Sequence, residues 1–249
     1  MPGLPRARFR FDDLATLLSG AQPGGLPLMA LAGLWLWNMS EDGHAAAHCI
    51  DGCVILQHAL AEYGLGSDIH ATGVAIMRGE QRVLYDHARY HADGAFDGHT
   101  ILVVPEARRF IDQTIQQFTE IPSSPRNSLP LMAQIPEGVR VGTDIFVIPR
   151  SDHMIAYPPV PEEERYAWRD PRVDAHDADY RKAGAILAAR AFDVMRHESL
   201  RHLLAESPYP RLQILLEALG GTAGVERDDG YYCFRDDVTG AEQLLADVP

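Results

Sequence analysis

The stretch HAAAHCIDGC, residues 44–53, places two histidines and two cysteines within ten positions. From Ile50 to Tyr63 the apolar residues recur with helical spacing, and Gly64 follows them. This pattern predicts a helix that begins near Cys49 and ends at Gly64, because glycine commonly terminates helices. The stretch has three interpretations: a nucleophile at a helix start, a metal site, or a buried helix that uses Cys and His.

The bulk composition is that of an ordinary globular protein. The chain has 249 residues, of which 46% are apolar and 23% are charged, so it has enough apolar side chains for a sizeable core. Its formal net charge is −13. Phosphate groups are bound by clustered Lys and Arg, so this balance argues against nucleic acid and against an anionic membrane surface as partners.

The number of cysteines indicates the cellular compartment in which the protein is expected. The three cysteines are Cys49, Cys53 and Cys233, an odd number that does not indicate a secreted disulfide framework. We therefore expect a cytoplasmic protein that needs no cofactor. The apolar run at residues 26–37 is too short to cross a bilayer, and we interpret it as a buried helix.

Strand patterns follow the central helix. Residues 68–90 contain β-branched runs separated by a turn, which predict strands. The sequence GHTILVVPEARRFIDQT predicts a hairpin with a first arm at His99–Val104 and a second arm at Arg108–Asp112. Residues 120–142 are rich in Pro and Ser and predict a long surface connection.

The composition changes near Pro158, where a turn-rich, charged segment begins. Two segments with helical periodicity follow it. We therefore predict an α+β fold with two parts. Residues 1–157 form an α+β core, and residues 158–249 form a mostly helical C-terminal region.

One thiol, one imidazole and one carboxylate occupy positions where they can cooperate. Cys49 lies at the predicted helix start, where the helix dipole favours a thiolate. His99 opens the first arm of the hairpin and Asp112 closes the second, so both side chains are expected at one end of the sheet. The carboxylate then orients the imidazole, and the imidazole faces the thiol.

These motifs also resemble a known family. CIDGCVILQHALAEYGL, GHTILVV and FIDQT, within residues 45–118, resemble the papain-like cysteine proteases in their transglutaminase-like branch, with Gln113 where the family has proline after its aspartate. The resemblance implies a Cys-bearing helix on an antiparallel sheet. It also implies that Cys49 is the nucleophile, His99 the general base and acid, and Asp112 the orienting group. The expected activity is amide hydrolysis or acyl transfer through a thioester, on a peptide, protein or small amide substrate.

Two details of this site stay open in the sequence. Cys53 competes with Cys49 as the nucleophile, because it follows Asp51–Gly52 and a glycine allows the backbone to open. The oxyanion site needs a side-chain donor besides the backbone N–H of Cys49. Asn38 is the nearest upstream amide and the candidate for this donor.

Two further functions are possible. In the first, the fold is a non-catalytic interaction module that binds a protein partner through the C-terminal helices. In the second, His44, His48, Cys49 and Cys53 bind zinc, which accepts both ligand types. Ligands from one helix do not converge easily, because residues 48 and 49 differ by about 100° around its axis.

Overall fold

The computed structural model describes Leu14, Leu18 and residues 20–41, 48–92, 95–121 and 130–249. In these residues the helices are α1 (Leu26–Glu41), α2 (Cys49–Glu62), α3 (Pro171–Ala175), α4 (Asp177–Met195), α5 (Glu198–Ala205) and α6 (Pro210–Leu219). The strands are β1 (Asp68–Thr72), β2 (Val74–Arg78), β3 (Gln81–Tyr85), β4 (Arg89–Tyr90), β5 (Phe96–Asp97), β6 (His99–Val104), β7 (Arg109–Asp112), β8 (Leu131–Gln134), β9 (Phe146–Pro149), β10 (Met154–Tyr157), β11 (Ala223–Glu226), β12 (Tyr232–Arg235) and β13 (Glu242–Gln243). The predicted α+β class is confirmed.

The helix predicted from Cys49 to Gly64 is α2, and its C-terminus explains the glycine. Gly64 has a φ of 70°, in the left-handed region that glycine adopts without strain. The N–H of Gly64 donates to the carbonyl of Ala61, and the N–H of Leu65 donates to that of Leu60. These two bonds form a Schellman motif, which satisfies the last carbonyls of the helix.

The first sheet has the strand order β1-β6-β7-β8, and all its pairs are antiparallel. The predicted hairpin is confirmed as β6 and β7, with Val104 opposite Arg109 and Leu102 opposite Ile111. The connection predicted over residues 120–142 is wrong in part, because Leu131–Gln134 forms the edge strand β8. Its flanking Pro and Ser residues obscured a strand of only four residues.

A second antiparallel sheet has the order β3-β2-β10-β9. Both faces of β6 are buried, because alternate residues of a strand point to opposite faces. Leu102 and Val104 belong to a hydrophobic cluster that also contains the buried residues of α1, α2 and α4. Ile101 and Val103 belong to another cluster, shared with the second sheet. The first sheet therefore separates two cores.

The larger cluster crosses the boundary predicted at residues 157 and 158, because it includes side chains of both α2 and α4. The two helices approach closely at Gly184. A Cβ atom there would lie 2.6 Å from the Cβ of His58 and 2.9 Å from the carbonyl oxygen of Ile55. The division into residues 1–157 and 158–249 stays a prediction.

The remaining strands form smaller sheets. β11, β12 and β13 form a three-stranded sheet in the C-terminal region, and β4 pairs with β5. The C-terminal region thus contains a sheet beside its predicted helices. Among the described residues, no helix combines the length and the apolarity needed to cross a bilayer.

The close approach of α2 and α4 predicts the effect of a methyl group at Gly184. Alanine favours a helix over glycine by about 1 kcal/mol, yet we expect Gly184→Ala to lower the free energy of unfolding by about 1–3 kcal/mol through overpacking. Gly221→Ala is the control, because a Cβ there meets no atom within 4 Å, and it should change stability by less than about 0.5 kcal/mol. Urea denaturation measures both. A Gly184→Ala protein as stable as the parent would contradict this packing.

Candidate active site

Cys49 is the first residue of α2, and it is 4% exposed. The N–H groups of a first helical turn have no partner within the helix, and the helix dipole places partial positive charge there. The preceding residue, His48, does not cap the helix with its side chain. Its ring lies instead 2.7 Å from the carboxylate of Asp51. A thiolate of Cys49 therefore faces the positive end of α2.

The hairpin brings together His99 and Asp112. Alternation along β6 places His99 on the face of Ile101 and Val103, and alternation along β7 places Asp112 on the face of Phe110. Val103 is paired directly with Phe110, so the two faces are the same. The Nε2 atom of His99 lies 2.8 Å from Oδ2 of Asp112, with the side chains 1% and 0% exposed. The catalytic roles of the two residues stay a prediction.

Two further groups donate hydrogen bonds to the Asp112 carboxylate. The hydroxyl of Tyr157 donates to Oδ2 at 2.8 Å, and the backbone N–H of Thr114 donates to Oδ1 at 3.2 Å. Tyr157 ends β10 in the second sheet and is fully buried. The sequence analysis missed Tyr157, because it contacts Asp112 only when the two sheets pack together.

The environment of His99 favours its charged form. Burial of the ring lowers its pKa, but the charge of Asp112, the hydrogen bond to this carboxylate and the influence of Cys49 outweigh burial. Together they raise the pKa of His99 from 6.5 to about 10. The charges of both the carboxylate and the thiol therefore contribute to the raised pKa of the imidazole.

The other ring nitrogen of His99 also has a partner. The Nε2 atom of Gln117 lies 2.8 Å from Nδ1 of His99. Gln117 ends the short 3-10 helix Ile115–Gln117, and the ring of Phe118 follows with its centroid 5.2 Å from that of His99. The imidazole is thus held by a carboxylate, an amide and an aromatic ring. The sequence analysis gave no role to Gln117.

Gln113 connects the end of β7 to the first turn of α2. Its Nε2 atom donates to the carbonyl of Cys49 at 3.0 Å and contacts Sγ of Cys53 at 3.3 Å. Gly52 makes this approach possible, because a Cβ there would lie 2.7 Å from Nε2 of Gln113 and 2.7 Å from the ring of Trp35. The glycine of the IDGC motif serves close packing and does not open the backbone of α2.

The alternative nucleophile, Cys53, is in an unfavourable environment. Burial raises the pKa of the Cys53 thiol from 9.0 to about 12, despite the hydrogen bond from Gln113, which lowers it. Its thiolate is therefore scarce at neutral pH, and the thiolate is the reactive form of cysteine. These surroundings argue against Cys53 as the nucleophile.

The role of Asn38 as an oxyanion donor stays a prediction. Asn38 lies in the last turns of α1, and within the described part of the chain no hydrogen bond joins it to Cys49. The backbone N–H of Cys49 remains the candidate donor of an oxyanion site.

The zinc interpretation depends partly on His44, which lies outside the described residues. Of its other three ligands, His48 pairs with Asp51, and Cys53 contacts Gln113. No group of three or more His, Cys, Asp or Glu side chains in the described ranges has a geometry that would hold a metal ion. All three cysteines of the chain are free thiols.

Comparison of the chain with models of protein families, with curated proteins and with solved structures finds no significant match in any of the three. The geometry described above is therefore the basis for assigning a function.

The raised pKa of His99 predicts how stability depends on pH. The folded protein keeps a proton on His99 up to about pH 10, whereas an unfolded histidine releases it near 6.5. The stabilisation is therefore complete below about pH 6.5 and is lost as the pH rises to about 10, with a slope of up to about 1.4 kcal/mol per pH unit. Urea denaturation across this window measures it. His99→Gln should remove this part of the slope, and an unchanged slope would contradict a charged His99.

The hydrogen bond from Tyr157 to a carboxylate predicts a larger loss than a neutral bond. We expect Tyr157→Phe to lower the free energy of unfolding by about 1.5–3 kcal/mol. Tyr63→Phe is the matched control, because the buried Tyr63 hydroxyl donates to the neutral carbonyl of Ala188 at 2.7 Å, and it should lose only about 1 kcal/mol. Equal losses in urea denaturation would indicate that Asp112 carries no charge.

Proposed function

We propose that the chain is a cysteine-dependent hydrolase or acyltransferase, in which Cys49 is the nucleophile, His99 the general base and acid, and Asp112 the orienting group. One observation carries the proposal: Nε2 of His99 lies 2.8 Å from the buried Asp112 carboxylate, and the charge of Cys49, at the start of α2, is among the influences that raise the pKa of this imidazole. A nucleophile, a base and an orienting carboxylate in one chain of contacts are the arrangement that activates a thiol.

The contacts define the role of each atom. Nε2 of His99 is bonded to Asp112, so the proposed mechanism requires Nδ1, which the Gln117 amide contacts at 2.8 Å, to exchange a proton with the thiol. The Cys49 thiolate attacks the carbonyl carbon of an amide, and a C–S bond forms. The tetrahedral intermediate then collapses with loss of its C–N bond, and the leaving amine takes the Nδ1 proton of His99.

The second half of the reaction restores the thiol. Neutral His99 accepts a proton from water or from an amine as that molecule attacks the thioester, and the C–S bond breaks. Water gives hydrolysis, and an amine gives acyl transfer. The N–H of Cys49 at the start of α2 is the candidate donor to the oxyanion in both halves.

Several features support the resemblance to papain-like and transglutaminase-like enzymes. The thiol lies at the start of α2, the imidazole and carboxylate lie on neighbouring antiparallel strands, and residues of α2 share a hydrophobic cluster with β6. Gln113, which replaces the family's proline, bonds α2 directly. The proposed substrate is a peptide, a protein or a small amide.

A second candidate function is a non-catalytic interaction module. The burial of Cys49 and His99, at 4% and 1% exposure, favours this alternative, because a substrate must reach both. In such a protein the contacts of Cys49, His99 and Asp112 would only stabilise the fold. The C-terminal helices would bind a protein partner.

Alkylation by iodoacetamide at about pH 6 separates the two functions. An activated thiolate displaces iodide well below the pH at which an ordinary thiol reacts. We expect Cys49 to be alkylated at least about tenfold faster than Cys53 and Cys233 of the same chain, and His99→Gln to abolish this difference. Peptide mass mapping over time gives the three rates.

Acyl transfer is tested with p-nitrophenyl acetate. A catalytic Cys49 takes the acetyl group with release of p-nitrophenolate and then passes it to water, so turnover is expected. Cys49→Ser should remove the turnover, and Cys53→Ser should retain it. Absence of an acetyl adduct, with Cys49 alkylated no faster than Cys233, would favour the non-catalytic module.

A further inference from the structure

A groove lies at the end of the first sheet opposite His99 and Asp112, and its volume is about 280 Å³. The lining includes His70 of β1, Val103 of β6, Arg108 of the β6–β7 turn, and Ile135, Val139 and Val141 of the segment after β8. Val103 and His99 are four residues apart on β6, so their Cα atoms are separated by about 13 Å. A ligand of this groove would therefore not depend on the proposed thiol chemistry.

The floor of the groove is apolar. Its aliphatic side chains are part of the hydrophobic cluster between the two sheets or pack against it; they are Val103, Ile135, Val139 and Val141. An aliphatic chain bound here would be removed from water, which is favourable. The volume is just below the range of about 300–1,000 Å³ that is typical of sites for drug-sized molecules, so it suits a small ligand.

Two polar side chains border this floor without a partner of their own. Within the described part of the chain, no hydrogen bond or ion pair engages the guanidinium of Arg108 or the ring of His70. The half-buried ring of His70 lies against Gly142, where an added Cβ would be 3.0 Å from its Nδ1. Burial lowers the pKa of His70, so the ring is neutral at pH 7 and has one N–H to donate.

The backbone of Arg108 has a conformation that an arginine rarely adopts. Its φ is 49°, and among the described residues no other residue except glycine has a positive φ. The turn requires this conformation, because the N–H of Arg108 donates to the carbonyl of Pro105 at 2.9 Å and its carbonyl accepts from Ile135 at 2.8 Å. Glycine and asparagine adopt it at a lower cost. A strained residue that holds an unpaired charge beside a groove indicates a binding role.

We propose that this groove binds a short-chain aliphatic carboxylate, with the carboxylate on the guanidinium of Arg108 and the N–H of His70 and the chain on the apolar floor. A guanidinium presents parallel N–H donors that match the two oxygens of a carboxylate. None of the described lining residues is acidic, and Glu106 of the same turn accepts instead from the N–H of Gly66 at 3.3 Å. Arg108 and His70 are the polar side chains of this lining, which leaves no side-chain partner for the amide groups of a peptide.

Titration with sodium hexanoate at constant ionic strength tests the site, with the methyl groups of valine and isoleucine observed by NMR. We expect saturable shifts at Val139 and Val141 with a Kd of about 0.1–1 mM. Acetate has the carboxylate without the chain, and 1-hexanol has the chain without the carboxylate. Each should bind at least about tenfold more weakly than hexanoate. This comparison needs no variant of the protein.

Arg108→Asn removes the guanidinium and introduces a residue that tolerates left-handed backbone. We expect it to weaken hexanoate binding by at least about tenfold and to keep a Tm no lower than that of the parent. Arg140→Asn is the matched control, because it removes the same charge from the neighbouring loop. Arg140 pairs with Asp144 at 3.6 Å and does not line the groove. Its Kd should stay within about twofold of the parent value.

Four results would overturn the inference. The first is the absence of saturation up to about 20 mM hexanoate. The second is equally tight binding of 1-hexanol, which would make the site purely apolar. The third is an equal loss in Arg108→Asn and Arg140→Asn, which would indicate a general effect of charge. The fourth is tighter binding of N-acetyl-leucine than of hexanoate, which would indicate the carboxyl terminus of a peptide as the ligand.

Discussion

The structure depends on the buried pairing of His99 with Asp112. Removing two charged groups from water costs several kcal/mol for each, and their attraction offsets this cost only when the remaining hydrogen-bonding positions are also filled. Asp112 meets this condition, because it accepts from His99, Tyr157 and the N–H of Thr114. The pair thereby imposes a requirement on the elements around it: each must supply a polar group at a fixed position within a hydrophobic core.

The second sheet and the end of β7 supply these polar groups. The second sheet provides Tyr157, whose hydroxyl reaches through the cluster that contains Phe110 and Phe146. On the helical side, the residue after Asp112 is Gln113, whose amide bonds the carbonyl of Cys49. A single stretch at the end of β7 thus fixes the carboxylate toward one core and the start of α2 toward the other. The thiol is positioned relative to the imidazole because both are tied to this stretch.

The sequence predicts the parts of this site that depend on local patterns. The helical spacing after Cys49 and the glycine at 64 are enough for α2, and a tight turn between two apolar runs is enough to pair His99 with Asp112. The contacts of Tyr157 with Asp112 and of Gln117 with His99 were not predictable in this way. Tyr157 lies 45 residues from Asp112, and its contact requires a second sheet to pack on the first.

Burial of the site affects the reactivity of its groups as well as the stability of the fold. In the proposed mechanism, a region of low dielectric constant would strengthen the attraction between the imidazolium and the thiolate and would protect the thioester from stray hydrolysis. The same strength makes an activated thiol a hazard to the protein, because a thiolate also reacts with oxidants and electrophiles. Cys49 is 4% exposed, so the burial that shields the thiol from such reagents also limits the approach of a substrate.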